Sequence, residues 1–242
     1  MREQSNPAHV VPAREVRKLM RAARRQSRQV DRRLEPMPSG WSVAPFDPNL
    51  LFDAFPRLQL REGFRLAAYQ HYEGGNGNGF VFAIPAGKWL PDPPGELDFA
   101  WSPEGASILS SGDSPLPEWV HAGIAQFLEG DGSPLSYFQA SIFMRELQEM
   151  GAQWHGCSWS THEVLTSMIR VPKQKWEWRE RRPRDWRPTV RQNSDGLSQV
   201  VFHSHTGLGQ ERIIRHRDTF EEGYQFHTDE VTIALGEGGY VF

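Results

Sequence analysis

The chain has 242 residues, of which 38% are hydrophobic and 24% charged, with one cysteine and a formal net charge of −3. A single thiol excludes an internal disulfide and a four-thiolate zinc site, and no run of 18 apolar residues is present to span a membrane. With 9 Trp and 14 Phe the composition is that of a chain with a core, not of a disordered one.

The small net charge conceals segregation. Residues 1–35 hold ten Lys/Arg against four Asp/Glu, residues 36–169 five against fifteen, residues 170–191 nine against three, and residues 192–242 three against eight. Two cationic straps therefore accompany an anionic body. Blocks of like charge dock either on a partner or on the chain's own opposite face. The expectation is self-neutralisation, with the arginine-rich stretches lying on carboxylates of the same molecule.

In chain order, Pro12 opens a helix that Pro36 should close. Val16, Leu19, Ala23, Val30 and Leu34 form a thin apolar stripe, with arginines over most of the remainder. Such a helix is marginal alone, and it either lies against the body or protrudes as an arm. Residues 1–35 are accordingly separated as a basic helical arm from a single domain over residues 36–242. Residues 36–57 are broken by prolines and read as an irregular wrap anchored by Trp41, Phe46, Phe52 and Phe55. Gly63–Glu73 alternates with period two, as a strand does, and Phe80–Ile84 is apolar at every position, as in a strand covered on both faces. Between them, Gly74–Gly79 reads as a hairpin connection, because the partners of a phosphate loop or dinucleotide fingerprint are missing.

Three helices are then expected: one from Ser114–Pro115 to Gly130, one from Ser133–Pro134 to Gly151, and a short one from the Ser160/Glu163 capping pattern to about Arg170. Strands are expected at Gln199–His205, Gln210–Arg217, Tyr224–His227 and Val231–Leu235. The fold class is α+β: an antiparallel sheet built from both ends of the body, a block of helices between the N-terminal and C-terminal strand regions, and a basic N-terminal helix before them.

Three groups could carry chemistry. In residues 154–162, His155 and His162 flank Cys157, which could act as a nucleophile with a histidine as base, or join them as a zinc ligand. Trp154, Trp159 and Thr161 could instead frame a small-molecule pocket. On a strand, His203 and His205 share a face and are candidate metal ligands, with His216 and His227 as neighbours if the register allows; the group could bind zinc or carry acid–base pairs, with Asp218, Asp229 or Glu230 as orienting carboxylates. In the strap over residues 170–191, Arg179, Arg181, Arg182 and Trp186 could grip a partner: a protein, or less readily single-stranded nucleic acid.

No complete catalytic signature is present, and the sequence leaves the cofactor unknown. The first expectation for function is a non-catalytic binding or protein-interaction module in the cytoplasm, without a membrane segment. The alternatives are a hydrolase or transferase using the Cys/His cluster or a His-bound metal, and single-strand nucleic-acid binding through the strap.

Overall fold

The computed structural model describes residues 7–31, 39–93, 99–102, 105–108, 116–153, 155, 157–168, 171, 173, 175–193 and 196–241. It is an α+β fold of helices and antiparallel sheets. The strands are β1 (His9–Val10), β2 (Gly40–Val43), β3 (Leu58–Leu60), β4 (Phe64–Glu73), β5 (Asn76–Pro85), β6 (Phe99–Ser102) and β7 (Gly105–Ile108) in the first half. The second half holds β8 (Leu128–Gly130), β9 (Glu163–Val164), β10 (Glu177–Trp178), β11 (Thr189–Gln192), β12 (Ser198–Thr206), β13 (Arg212–Glu222) and β14 (Gln225–Leu235). Two α-helices are described, α1 (Ala13–Asp31) and α2 (Pro134–Gln148).

Strand order in the large sheet is β1-β11-β12-β13-β14-β10, with β9 paired to the far end of β12. The N-terminal strand region does not join it. Instead β2, β4 and β5 make a separate three-stranded sheet, and β3–β8 and β6–β7 are two-stranded ribbons. The expectation of one sheet from both ends of the body is thus corrected to two main sheets, because α2 lies between them. α2 contacts β5 of the small sheet and β11 and β12 of the large one, and its buried side chains share a single apolar core with Leu66, Ala68 and Val81 on the one hand and Val200, Phe202 and Phe220 on the other. Buried on nearly all sides, α2 carries Phe138, Ile142, Phe143 and Leu147 in that core. Its start is capped by Ser133, whose hydroxyl accepts the Ser136 N–H at 3.3 Å, and Pro134 occupies the first turn.

Of the two placements open to the basic helix, the structure shows the docked one. Val16, Leu19 and Ala23 of α1 are buried in the same core as Leu51, Phe55 and Phe143. Pro36 lies outside the described residues.

The block of helices is also corrected. Where the first was expected, His121 exchanges backbone hydrogen bonds with Ala83 at 2.9 and 3.0 Å, and a 3-10 turn at Ile124–Phe127 leads into β8. Pro117 and Gly123 interrupt any longer helix. Where the third was expected, a 3-10 turn at Trp159–Thr161 passes into β9. There the N–H groups of Ser158 and Trp159 bond to the Glu149 carboxylate, which takes the place of a helix cap. The two strands expected at Tyr224–His227 and Val231–Leu235 are one continuous strand, β14.

The glycine-rich segment is the connection of a β4–β5 hairpin. Gly74 and Gly75 are its two loop residues, at φ 58° and 94°, between the paired Glu73 and Asn76. Gly79 is needed for a different reason, close packing, since a Cβ there would stand 1.8 Å from the Met150 carbonyl oxygen at the end of α2. Gly79→Ala is therefore expected to destabilise the fold by about 1–3 kcal/mol through overpacking against backbone. Urea denaturation measures this, and an unchanged midpoint would show that the hairpin and helix end do not meet so closely.

Candidate functional site

The pairing of β12, β13 and β14 decides which polar groups share a face. Phe202 stands opposite His216, and His216 opposite Glu230; Ser204 pairs with Ile214, and Asp218 with both Val200 and Thr228. Alternation then places Ser204, His216, Asp218, Thr228 and Glu230 on the α2 side of the sheet, with Arg212 at its end. His203 and His205 fall on the opposite face.

On the α2 side these groups form two linked networks. Arg145, on the last turn of α2, donates to both oxygens of Asp218 at 2.7 and 2.9 Å and to Glu230 Oε1 at 3.3 Å. Its guanidinium lies 5.1 Å from the Phe202 ring and 5.7 Å from the Trp159 ring. Burial opposes its charge, but Asp218 and Glu230 outweigh that and raise its pKa. The second network is a row of four side chains. His162 Nδ1 is 2.9 Å from Ser204 Oγ, Ser204 Oγ is 2.7 Å from His216 Nε2, and His216 Nδ1 is 2.8 Å from Glu230 Oε1. The His216 ring stacks on Phe202 at 4.5 Å.

Burial, followed by the nearby His216 and against the pull of Glu230, pushes His162 down to about 3. Burial also lowers His216. Burial works against the charge of Glu230, yet the hydrogen bond from His216 and the guanidinium of Arg145 hold it down to about 2. At neutral pH the row is two neutral imidazoles, a hydroxyl and a carboxylate.

The loop from Ser158 to His162 is held from beneath by acids of α2. Trp159 donates its indole N–H to Glu146 Oε1 at 2.9 Å, and Thr161 shares a 2.8 Å hydrogen bond with Thr206. From α1, Arg24 donates to the carbonyls of Trp159 at 2.9 Å and His162 at 3.3 Å, and pairs with Glu146 at 3.5 Å. His162 thereby sits between two cavities. One, of about 310 Å³, is lined by Arg145, Trp159, His162, Arg212, His216 and Glu230 among others. The other, also about 310 Å³, lies against α1, where Arg17, Arg21 and Arg24 face His162, Glu163 and Val164.

The site residues expected from sequence are distributed as follows. His162, Trp159 and Thr161 belong to this site. His155 is exposed, with its N–H 3.4 Å from Asn76 of β5, and Cys157 is half-buried; neither lines the two cavities, and Trp154 lies outside the described residues. The side-chain hydrogen bond of His162 runs to Ser204. His203 is buried under Trp186 at 5.3 Å and His205 lies near Trp176 at 5.9 Å. His216 faces the other way, and the exposed His227 pairs with Glu221 at 3.5 Å. Among the described residues no group of three or more His, Cys, Asp or Glu is set to hold a metal.

The described residues of the strap show no arginine paired with an acid of the body. Among the described residues, Arg187 pairs with Asp185 of the strap itself, and the strap's Glu180 takes Arg215 of the sheet. Arg179, Arg181, Arg182 and Arg184 are exposed, and Arg182 lies over Trp178 at 5.8 Å. The indoles do the anchoring: Trp186 is buried, and Trp176 and Trp178 pack with Ile213 and Ile233 on the outer face of the sheet.

Sequence reasoning missed Ser204 and Arg145, while Asp218 and Glu230 are among the carboxylates it offered to orient the strand histidines. A signal was present in α2, where Arg145 and Glu146 interrupt a helix whose neighbours are apolar on every side. Comparison with protein-family models, curated proteins and solved structures gives no match. No described helix is long and apolar enough to cross a membrane.

The buried histidines make stability depend on pH. Burial, then the charges of His216 and Arg215, lower His203 to about 4. An unfolded histidine titrates near 6.5, so below that pH the unfolded chain binds more protons and stability falls, until the folded group also titrates. One histidine of this kind costs up to about 3 kcal/mol as the pH reaches about 4. His203→Leu is expected to shallow the loss of stability between about pH 6.5 and pH 4 by nearly one proton. Urea denaturation across that range reads the slope, and an identical slope in both proteins would mean that His203 is solvated.

Proposed function

We propose that this protein is a binding module for a small molecule with two anionic groups, phosphate or carboxylate, seated across His162 in both cavities. The observation that carries this is the charge of the walls. Arg17 and Arg21 on one side and Arg212 on the other line the cavities with no carboxylate partner among the described residues. Glu163 and Glu230 are the carboxylates in the two linings, and Glu230 is already engaged by His216 and Arg145. Guanidinium groups in a partly enclosed cavity match phosphate and carboxylate geometry. Placement in the cytoplasm is part of the same proposal, supported by cysteine usage: with one cysteine the chain is not built on the disulfides common in oxidising compartments.

Inorganic pyrophosphate is the probe. Titration calorimetry of the full chain is expected to show saturable binding, weakened about tenfold or more by Arg21→Ala or Arg212→Ala, since each removes a charge-assisted hydrogen bond. Arg182→Ala, on the other side of the sheet, should leave it unchanged. Absence of saturable heat, or equal weakening by all three variants, would overturn the assignment.

The strap supports a second contact. Its guanidinium groups face solvent while its indoles face the core, so it offers cations without a stacking platform for bases. This favours an acidic protein segment over single-stranded nucleic acid. A poly-glutamate peptide should bind at low salt, fall away steeply as salt rises, and be lost on reversing Arg179, Arg181 and Arg182 to Glu. Tryptophan quenching by oligo-dT that vanishes in the same variant would favour nucleic acid instead.

A further inference from the structure

We propose that His162, Ser204, His216 and Glu230 form a proton relay of fixed resting polarity that makes His162 Nε2 a general base, and that the protein hydrolyses a phosphate ester bound in the cavity. The direction follows from donor and acceptor chemistry. Ionised, Glu230 can only accept, so His216 Nδ1 carries the proton of their 2.8 Å bond. In a neutral imidazole the other nitrogen is then an acceptor, so Ser204 must donate its hydroxyl proton to His216 Nε2 at 2.7 Å. That leaves Ser204 Oγ to accept from His162 Nδ1–H at 2.9 Å. His162 Nε2 is the end of the row: it bears a lone pair, has no protein partner among the described residues, and belongs to a ring that lines both cavities.

Three neighbouring facts fix the roles. Ser204 is fully buried, and an imidazole lies on each side of its oxygen, so it conducts a proton rather than attacking a substrate. His216 is 1% exposed and stacked on Phe202, so its ring cannot turn away from Glu230 without unpacking the core. His162 on its own is a poor resting place for a proton, being enclosed and near Arg145 and Arg212. Passage along the row puts the positive charge on His216 instead, which is also buried but lies 2.8 Å from the Glu230 carboxylate that offsets it.

In the step, a water in the cavity gives a proton to His162 Nε2 while its oxygen forms a bond to phosphorus. The ester P–O bond breaks and its electron pair leaves on the alcohol oxygen. His162 Nδ1 passes its proton to Ser204, Ser204 passes its own to His216 Nε2, and the imidazolium pairs with Glu230. Reverse passage protonates the leaving oxygen and restores the row, so ester plus water gives alcohol plus phosphate with no other reactant. Arg212 and Arg145 face the charge that develops on the phosphoryl oxygens.

This deepens the anion-binding proposal and rests on it. The test uses the full chain with p-nitrophenyl phosphate and bis(p-nitrophenyl) phosphate as probes, alongside ¹⁵N spectra of the histidine side chains at neutral pH. Hydrolysis of one probe is expected, falling about 100-fold or more in His162→Ala and about tenfold in Ser204→Ala, with pyrophosphate binding kept in Ser204→Ala. The spectra should show both His162 and His216 protonated on Nδ1, and Ser204→Ala should release His162 from that tautomer while His216 keeps it. Pyrophosphate binding without hydrolysis of either probe would overturn the relay's catalytic role and leave the binding proposal standing. Hydrolysis without pyrophosphate binding, or undiminished in His162→Ala, would overturn both, since the turnover would then lie outside these cavities. His162 protonated on Nε2 in the unmodified chain would overturn the relay even if no variant folds.

Discussion

One buried ion pair organises the molecule around the site. Arg145 and Asp218 meet through two parallel hydrogen bonds between the last turn of α2 and the middle of β13, both groups almost wholly out of water. Removing two charges from water is costly, and the pair is tolerable because nearly every lone pair and N–H around it is used. Thr228 donates to Asp218 at 2.7 Å, and Arg145 also reaches Glu230 and the Ser141 carbonyl. Loss of one partner would leave a bare charge inside the protein at a cost of about 3–5 kcal/mol. An apolar contact between helix and sheet could slide; this one specifies a register. It sets where Glu230 stands, Glu230 sets the tautomer of His216, and the remainder of the row follows.

The same logic extends to the loop that carries His162. Glu146 and Glu149 follow Arg145 along α2 and turn their carboxylates toward residues 158–162. Burial raises Glu146, against the pull of Arg24, the Trp159 N–H and Ser27. These acids bond to the Ser158 and Trp159 N–H groups and to the Trp159 indole, and so fix the chain just ahead of the expected cap Ser160. Beyond it, the Thr161 and His162 N–H groups bond to the Ser158 and Trp159 carbonyls of the 3-10 turn, and Glu163 pairs with His205 of β12, which is why a sequence with a capping-box pattern becomes a tight turn and a short strand. A local pattern can propose a helix start, but it holds no information about a carboxylate ten residues upstream that arrives by folding.

Legibility in the sequence tracks how local each cause is. The β4–β5 hairpin, the start and stop of α2 and the strand at Ser198–Thr206 are each dictated by residues within a few positions, and the periodicity shows them. The separation into two sheets depends on α2 passing between them, and the continuity of β14 depends on β13 pairing with it along its length; neither is written in a short window. Of the site, the segment around Trp159–His162 stood out because reactive residue types are dense there. Ser204 and Glu230 are ordinary strand residues until register sets them in line with His216. The histidine group drawn together from spacing alone divides between opposite faces of the sheet, because His203 and His216 lie on adjacent strands with opposite parity.

Charge segregation finds a different explanation from mutual cancellation. Arg24 alone among the described arginines of α1 pairs with an acid of the body, and that acid is buried Glu146. The next two arginines toward the N-terminus on the same helical face, Arg21 and Arg17, continue along the wall of the cavity. A basic helix with a thin apolar stripe would be marginal by itself, yet docked through Val16, Leu19 and Ala23 it becomes a rigid carrier of cations. Acids of the anionic body, meanwhile, are consumed inside it: Glu146, Glu149 and Asp218 bond to groups of the core, and none of them reaches Arg17 or Arg21. A chain of small negative charge can in this way present cationic cavities, since what a ligand meets is set by which charges are already partnered and not by their sum.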